Sequence, residues 1–457
     1  GCGHGRAKGI ILGCLLVSAC ARLPDVRHPE SPVNVPTVPS LVNAQGKLSD
    51  KDAAVVLARR LGPSKLTAQA LAGLEEAATG RPLIAGNRVT LLFDGPRTIA
   101  AMMAAVAGAE DTVNLETYLF DQDPLGMAFA DLLIAKQRAG VQVCIIYDCV
   151  GTLGTPQTFF DRMEQAGIRL LPVHPVSPFR QIGRWRINNR DHRKILVVDG
   201  KIAFTGGVNI TAAYSRSSLF RSSAKHPASV GWRDTHLQIE GPAVATLQWM
   251  FLNTWGHQKG AKLSDRDYYP PLQNVGNKVL RVVASRPGSD FEIYRAYLLA
   301  IGGATKSIHI TAAYFVPDRE ILKALMGAAR RGVDVKLILP SVSDSGPVFY
   351  AGHSFYTRML KGGIQVHELR TSVMHAKTAV IDGAWSTVGS TNLDMRSFLH
   401  NTEVNLVVLG DDFGQEMESA FREDLRGSDE ITLEQWKRRS LGQRCKEWLS
   451  RLISYWL

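Results

Sequence analysis

From about residue 87 onward, short apolar runs alternate with longer stretches whose apolar residues recur every three to four positions. The first pattern reads as strand and the second as helix, so their alternation predicts an α/β fold. VNLETYLF (113–120) is strand-like, precedes a helical stretch and leads to RAGVQVCIIYD (138–148). The order then returns as IHITAAYF (308–315), a helical stretch and RRGVDVKLILP (330–340). QAGIRLLPV (165–173) is answered by KGGIQVHEL (361–369). HRKILVVDGKIAFTGGVNI (192–210) is answered by HAKTAVIDGAWSTVGSTNL (375–393), with 7 of 19 positions identical. Matched blocks in one order, at offsets of 192, 196 and 183, indicate a tandem duplication of one α/β unit. The two copies are expected at 88–262 and 278–426, joined by a polar segment, 263–277, containing Pro270-Pro271. Such alternation favours parallel or mixed sheets covered by helices.

The flanks have other patterns. Residues 21–87 read as a proline-bearing linker (Pro24, Pro29, Pro32, Pro36, Pro39) followed by one or two short helices between Ser49 and Gly80. Residues 1–20 place Arg6 and Lys8 before the apolar run Gly9–Ala19. Eleven residues are too few for a hydrocarbon core of ~30 Å. A basic start, a short apolar run and small residues make a secretory leader. Val17-Ser18-Ala19-Cys20 resembles a bacterial lipobox, with Cys20 as the lipidated residue; a signal anchor is the alternative. The expectation is a membrane-tethered lipoprotein facing the periplasm. In the last segment, 427–457, Leu441, Cys445, Trp448, Leu449, Leu452 and Trp456 recur at helical spacing. From Glu434 to Leu457 six basic residues face two acidic ones. A basic amphipathic helix with aromatic anchors suits an interfacial membrane element, and a terminal helix packed on the domain is the alternative.

Composition narrows the class. With 45% hydrophobic and 21% charged residues in 457, the chain is neither disordered, collagenous nor a polytopic membrane protein. A net charge of +11 suits phosphate-rich partners. Six cysteines without a CxxC pair make neither a disulfide scaffold nor a zinc site, and Cys144 and Cys149 read as buried thiols.

Each copy carries His-x-Lys-x-x-x-x-Asp: His192, Lys194, Asp199 and His375, Lys377, Asp382. Alternate residues of a strand share a face, so His192 projects with Lys194 and His375 with Lys377. The aspartates have the other parity and precede Gly200 and Gly383, a turn signal, so they are expected to hold the hairpin although they complete the motif. Gly206, Gly207 and Asn209, matched by Gly389, Ser390 and Asn392, offer close backbone approach and amide donors to a substrate. If the halves face each other, one pocket holds two imidazoles, two ammonium groups and two amides. That set suits a phosphodiester: cations and amides hold the non-bridging oxygens, one histidine attacks phosphorus and the other protonates the leaving alcohol. Asp234 and Glu403, at matching places after the motifs, are candidates to orient the histidines. Phe204, Trp385 and Phe398 are candidates for an apolar mouth, with core packing as the alternative. Arg180, Arg184, Arg186 and Arg190, interleaved with Phe179 and Trp185, read as a phosphate-attracting rim, and Ser215–Gly231 as a flap. No HExxH is present and lysines would repel a cation, so no metal or other cofactor is expected.

The paired motifs, each followed by Gly-Gly or Gly-Ser and an asparagine, resemble the phospholipase D superfamily over about 340 residues. Within it, LETYLF, RDHRKILVVDGKIAFTGGVNI, WRDTHLQIEGPAV and VGSTNLDMRSFLHNTEVNL are similar to bacterial cardiolipin synthases. The resemblance implies two phospholipase D-type α/β/α sandwich domains, with motif regions 187–213 and 370–396, and an active site at their interface. It also implies metal-independent phosphatidyl transfer through a phosphohistidine, with His192 matching the usual nucleophile and His375 the usual acid/base. A hydrolytic phospholipase D, a nuclease and a membrane-bound scaffold with a relic site are the alternatives. Phospholipids and an anionic membrane surface are the expected partners, nucleic acid is not, and a monomer suffices for the site.

Overall fold

A computed structural model describes residues 38–61, 65–175, 189–214, 231–289 and 291–453, together with 23 and 36. The first half contributes strands β1 (Leu83–Leu92), β2 (Thr112–Thr117), β3 (Gln142–Asp148), β4 (Arg169–Val173), β5 (Ile195–Val198), β6 (Ile202–Gly206) and β7 (His236–Glu240). The second contributes β8 (Lys278–Ser285), β9 (Ser307–Ala312), β10 (Asp334–Pro340), β11 (Gln365–Leu369), β12 (Lys377–Ile381), β13 (Trp385–Gly389) and β14 (Asn401–Leu409).

In space the strands run β4-β3-β2-β5-β6-β7-β1, then β8-β14-β13-β12-β9-β10-β11. The triplets β2–β3–β4 and β9–β10–β11 are parallel, and the other neighbours in this order are antiparallel. The copies therefore meet back to back at β1 and β8, through Asn87–Lys278 and Ile84–Leu280, and share one continuous sheet. All seven residues of β3 are buried, as expected of a strand covered on both faces.

The helices that cover the sheet start where the chain supplies caps. Asp94 accepts from Arg97 N ahead of α1 (Gly95–Ala107), and Asp123 from Gly126 N ahead of α2 (Pro124–Arg138). Pro96 and Pro124 occupy the first turns, where no N–H is needed. α3 (Val244–His257) follows β7. In the second half, α4 (Glu292–Gly303) precedes α5 (Arg319–Arg330), which Asp318 caps and which buries Ile321, Leu322, Leu325 and Ala328. Next come α6 (Gly346–His353) and α7 (Asp411–Arg426). Before the sheet lie helices Asp50–Arg60 and Lys65–Thr79; after it comes α8 (Leu441–Leu452). Each half has its own core, and a third belongs to both: Val197, Leu237 and Ile239 pack with Val380, Val388 and Leu406. Burying that much aliphatic surface across the seam ties the halves together.

Two small cross-pairings also link the halves. Arg190–Asp191, just before the first motif, pairs in parallel with Asn401–Thr402 at the start of β14. Trp232–Arg233 pairs with Val373–Met374, just before the second motif. Among the described residues, no helix is long and apolar enough to cross a membrane. Cys144 is a buried free thiol, pushed up to about 12 by burial, and Cys149 is buried as well.

Candidate active site

The cross-pairings bring the two motifs to one place. His192 N donates to Thr402 O at 3.0 Å, and His375 N donates to Arg233 O at 2.8 Å, so each motif's backbone is held by the other half. Glu403 follows Thr402 and Asp234 follows Arg233, so the same strands deliver the carboxylates. His192 Nδ1 lies 3.1 Å from Glu403 Oε1, and His375 Nδ1 lies 2.6 Å from Asp234 Oδ2. Both expected carboxylates orient a histidine, and each serves the opposite copy. With Nδ1 donating to a carboxylate, each Nε2 is left facing the cavity, to attack or to give and take a proton.

The carboxylates are fully buried and have their own supports. Ser390 Oγ donates to Glu403, and Asn401 Nδ2 adds a bond at 3.0 Å. Thr235 N donates to Asp234 Oδ1 at 2.8 Å, and Tyr214 OH donates to Oδ2 at 3.0 Å. Burial pushes both acids up, but Lys377 and His375 beside Asp234, and His192 and Lys194 beside Glu403, outweigh it and hold both low. Two residues read as substrate-binding are corrected here. A Cβ on Gly207 would stand 2.0 Å from Asp234 Oδ1, so this glycine makes room for the carboxylate. Ser390, its counterpart, anchors Glu403 through its hydroxyl and faces His192 Nδ1 with its carbonyl at 3.1 Å. Neither lines the cavity.

That cavity, of about 240 Å³, is lined by His192 and His375 together with Asn209 and Asn392, the two amides expected there. Asn209 Oδ1 accepts from Leu119 N at 3.2 Å, which leaves its amide protons for other partners. The lysines lie beside the histidines. Lys194 Nζ donates to His192 O at 2.6 Å, and Lys377 Nζ donates to His375 O and sits 3.0 Å from Nδ1. Burial lowers both histidines, with the lysine beside each as the next cause, and takes His375 to about 4. Burial also lowers Lys194, to about 7, with Glu403 opposing and Lys377 adding to the fall. The site gathers partly suppressed cations, and an anion entering it would restore their charge. Since kcat/KM reports the free enzyme, it is expected to fall by up to about tenfold per pH unit above the Lys194 value of about 7. A profile flat to pH ~9 would show that Lys194 does not act as a cation.

Asp199 and Asp382 complete the motif in sequence but stay outside the cavity. Both sit in turns at φ of 52° and 53°. Asp199 accepts from Glu110 N, Asp111 N and Thr112 N at 2.8–2.9 Å; Asp382 accepts from Thr305 N, Lys306 N and Ser307 N at 2.7–2.9 Å. They hold the hairpin to the start of β2 and β9, as their parity indicated, and the motif's suggestion of a catalytic role is corrected. Asp199→Ala is expected to cost about 1–3 kcal/mol of stability, through three amides left without an acceptor, and to leave kcat within a few fold. Thermal melts and turnover measured on the same preparation check this.

Several cavity residues escaped sequence reasoning. Tyr118 and Tyr314 line it from just beyond β2 and β9, at near-equivalent places in the repeat. Tyr118 meets His192 edge-on with ring centroids 4.9 Å apart, and Trp232 covers His375 at 4.7 Å. Tyr214 bridges Asp234 and His375, its OH 2.9 Å from Nδ1. Arg396 and Asp344 complete the wall with Arg190, which donates to His174 O at 2.9 Å. Of these only Arg190 had been singled out; the strand-end tyrosines were the one readable signal. Phe204, Trp385 and Phe398 are buried core residues, and do not form the cavity mouth. Arg180, Arg184, Arg186, the Ser215–Val230 part of the flap, the leader and Cys20 lie outside the described residues.

Comparison with known proteins gives the family. The model described as "Cardiolipin synthase, PLD-like domain" matches residues 102–219 and 297–425, one region in each half. A cardiolipin synthase of Geobacillus kaustophilus is 35% identical over 377 residues, covering 82% of this chain and 73% of that protein. A probable cardiolipin synthase of Bacillus subtilis is 34% identical over 371 residues, covering 80% and 72%. Among solved structures, the phosphatidylserine synthase of Haemophilus influenzae shares the fold, with a TM-score of 0.62 at 13% identity over 81% of this chain and 95% of that one. With both motif copies converging on one cavity and both halves matched, the chain belongs to the cardiolipin synthase-like family of the phospholipase D superfamily.

Proposed function

We propose that this enzyme transfers a phosphatidyl group between phospholipids, making cardiolipin from two phosphatidylglycerol molecules and releasing glycerol. The observation that carries this is the pair of histidines from opposite halves in one cavity, each with Nδ1 held by a buried carboxylate. His192 Nε2 attacks phosphorus while His375, carrying a second proton on Nε2 once the anionic substrate is bound, gives that proton to the departing glycerol oxygen. The phosphatidyl group then sits on His192. His375 takes the proton from a hydroxyl of the second phosphatidylglycerol, whose oxygen attacks phosphorus and frees His192. Lys194, Lys377, Asn209 and Asn392 stabilise the non-bridging oxygens, where charge builds in both steps. These residues account for the chemistry without a metal or cofactor.

Water competes with the lipid acceptor in the second step. An acceptor held in place gains an effective molarity that can exceed ~10⁵ M, far above that of water. Tethering at a membrane keeps that acceptor concentrated. Lipidation of Cys20 on a chain facing the periplasm would supply such a tether. Purified protein with phosphatidylglycerol vesicles and no added metal should yield cardiolipin and glycerol, with phosphatidic acid a minor product. If phosphatidic acid dominates and cardiolipin is absent, the enzyme is a hydrolytic phospholipase D.

A further inference from the structure

α8 presents its apolar side outward. At 100° per residue, Leu441, Cys445, Trp448, Leu449 and Leu452 fall within an arc of about 100°. A surface helix ordinarily turns such an arc toward the core. Here Glu447 and Ser450 are the buried residues, while Leu441 is 76%, Trp448 62% and Leu452 63% exposed. Of eleven exposed large apolar side chains among the described residues, five lie between 441 and 453, so they form a patch.

The orientation is fixed by polar contacts. Arg439 Nε pairs with Glu447 at 3.0–3.1 Å, Lys446 Nζ lies 5.2 Å from the Tyr350 ring, and the Arg451 guanidinium lies 5.3 Å from the Phe355 ring. These contacts seat α8 on α6 and the residues after it. α6 is also a wall of the active cavity, which Val348 lines along with Asp344 and Ser345 just before the helix. The exposed face is thus one helix away from the histidines.

We infer that α8 docks the enzyme on an anionic phospholipid bilayer, with its apolar arc in the interface and the active cavity held at the lipid surface. Charge selects this occupant. Exposed Arg444 and Arg451 border one edge of the arc and Lys446 the other, with Arg438 just before the helix. A second copy meeting this face across a two-fold axis would set those cations against one another. The inference rests on the phosphatidyl-transfer reading only for what the docked cavity receives.

The test uses the full chain with Cys20→Ser, so that no acyl anchor contributes, and a derivative with Leu441, Trp448, Leu449 and Leu452 each changed to Ser. Flotation on phosphatidylglycerol vesicles is expected to weaken on the order of 10²-fold or more, and turnover of those vesicles with it. Turnover of dispersed short-chain phosphatidylglycerol, below its micelle concentration, should stay within about twofold, because no altered residue lines the cavity. Trp448→Phe, a change at an exposed position, should keep flotation and lose the blue shift of tryptophan emission that vesicles induce. Unchanged flotation of the four-fold variant overturns the inference; a dimer of the parent that this variant dissolves would instead assign the face to a second copy. A parent that floats but turns over phosphatidylglycerol in neither form would overturn the phosphatidyl-transfer reading alone.

Discussion

His192→Ala and His375→Ala are each expected to lower turnover by a factor on the order of 10⁴–10⁶, and the double variant by no more than either alone. Each imidazole has a step the other cannot supply. Without the nucleophile no covalent intermediate forms, and without its partner the leaving alkoxide receives no proton. Turnover within a hundredfold of wild type in either variant, beyond contaminating activity, would mean that the histidines do not act as one site. Their geometry already couples them: the strand that holds each motif comes from the other half and carries that motif's carboxylate.

The second large effect follows from that exchange. Glu403→Gln and Asp234→Asn keep the shape but offer an amide where Nδ1–H needs an acceptor. The imidazole then favours the tautomer with its proton on Nε2, which removes the lone pair that His192 needs for attack and that His375 needs to take the acceptor's proton. A loss on the order of 10³–10⁴ in kcat is expected for each, as when the acceptor of a catalytic histidine becomes an amide. The crossed arrangement makes a further demand. In ¹⁵N-imidazole spectra, Glu403→Gln should move the His192 signals and spare His375, and Asp234→Asn should do the reverse. Shifts within each copy would contradict the exchange.

Much of this was legible in the chain because a duplication is its own control. A lone His-x-Lys has many uses, but two copies with matched strands, turns and asparagines specify one shared site. Strand parity separated Asp199 from His192 and Lys194, and the hydrogen bonds to Glu110 N, Asp111 N and Thr112 N show why. The exchange of carboxylates was not legible. It depends on two-residue strands, Arg190–Asp191 and Trp232–Arg233, too short to carry any periodicity. The purpose of Gly207 was hidden for a related reason: the atom it avoids, Asp234 Oδ1, lies 27 residues on. Tyr118 and Trp232 look like ordinary strand aromatics until the halves close. In α8 the spacing announced an amphipathic helix, but the buried side was decided by Arg439 and the rings of α6.

The most direct measurement of the central claim is capture of the covalent intermediate. His375→Ala, mixed with phosphatidylglycerol vesicles, quenched at neutral pH and digested, should yield a peptide carrying a phosphatidyl adduct on His192. His192→Ala treated in the same way should yield none. An adduct on His375 would exchange the two roles, and the absence of any histidine adduct under conditions where the unaltered enzyme turns over would contradict transfer through a phosphohistidine.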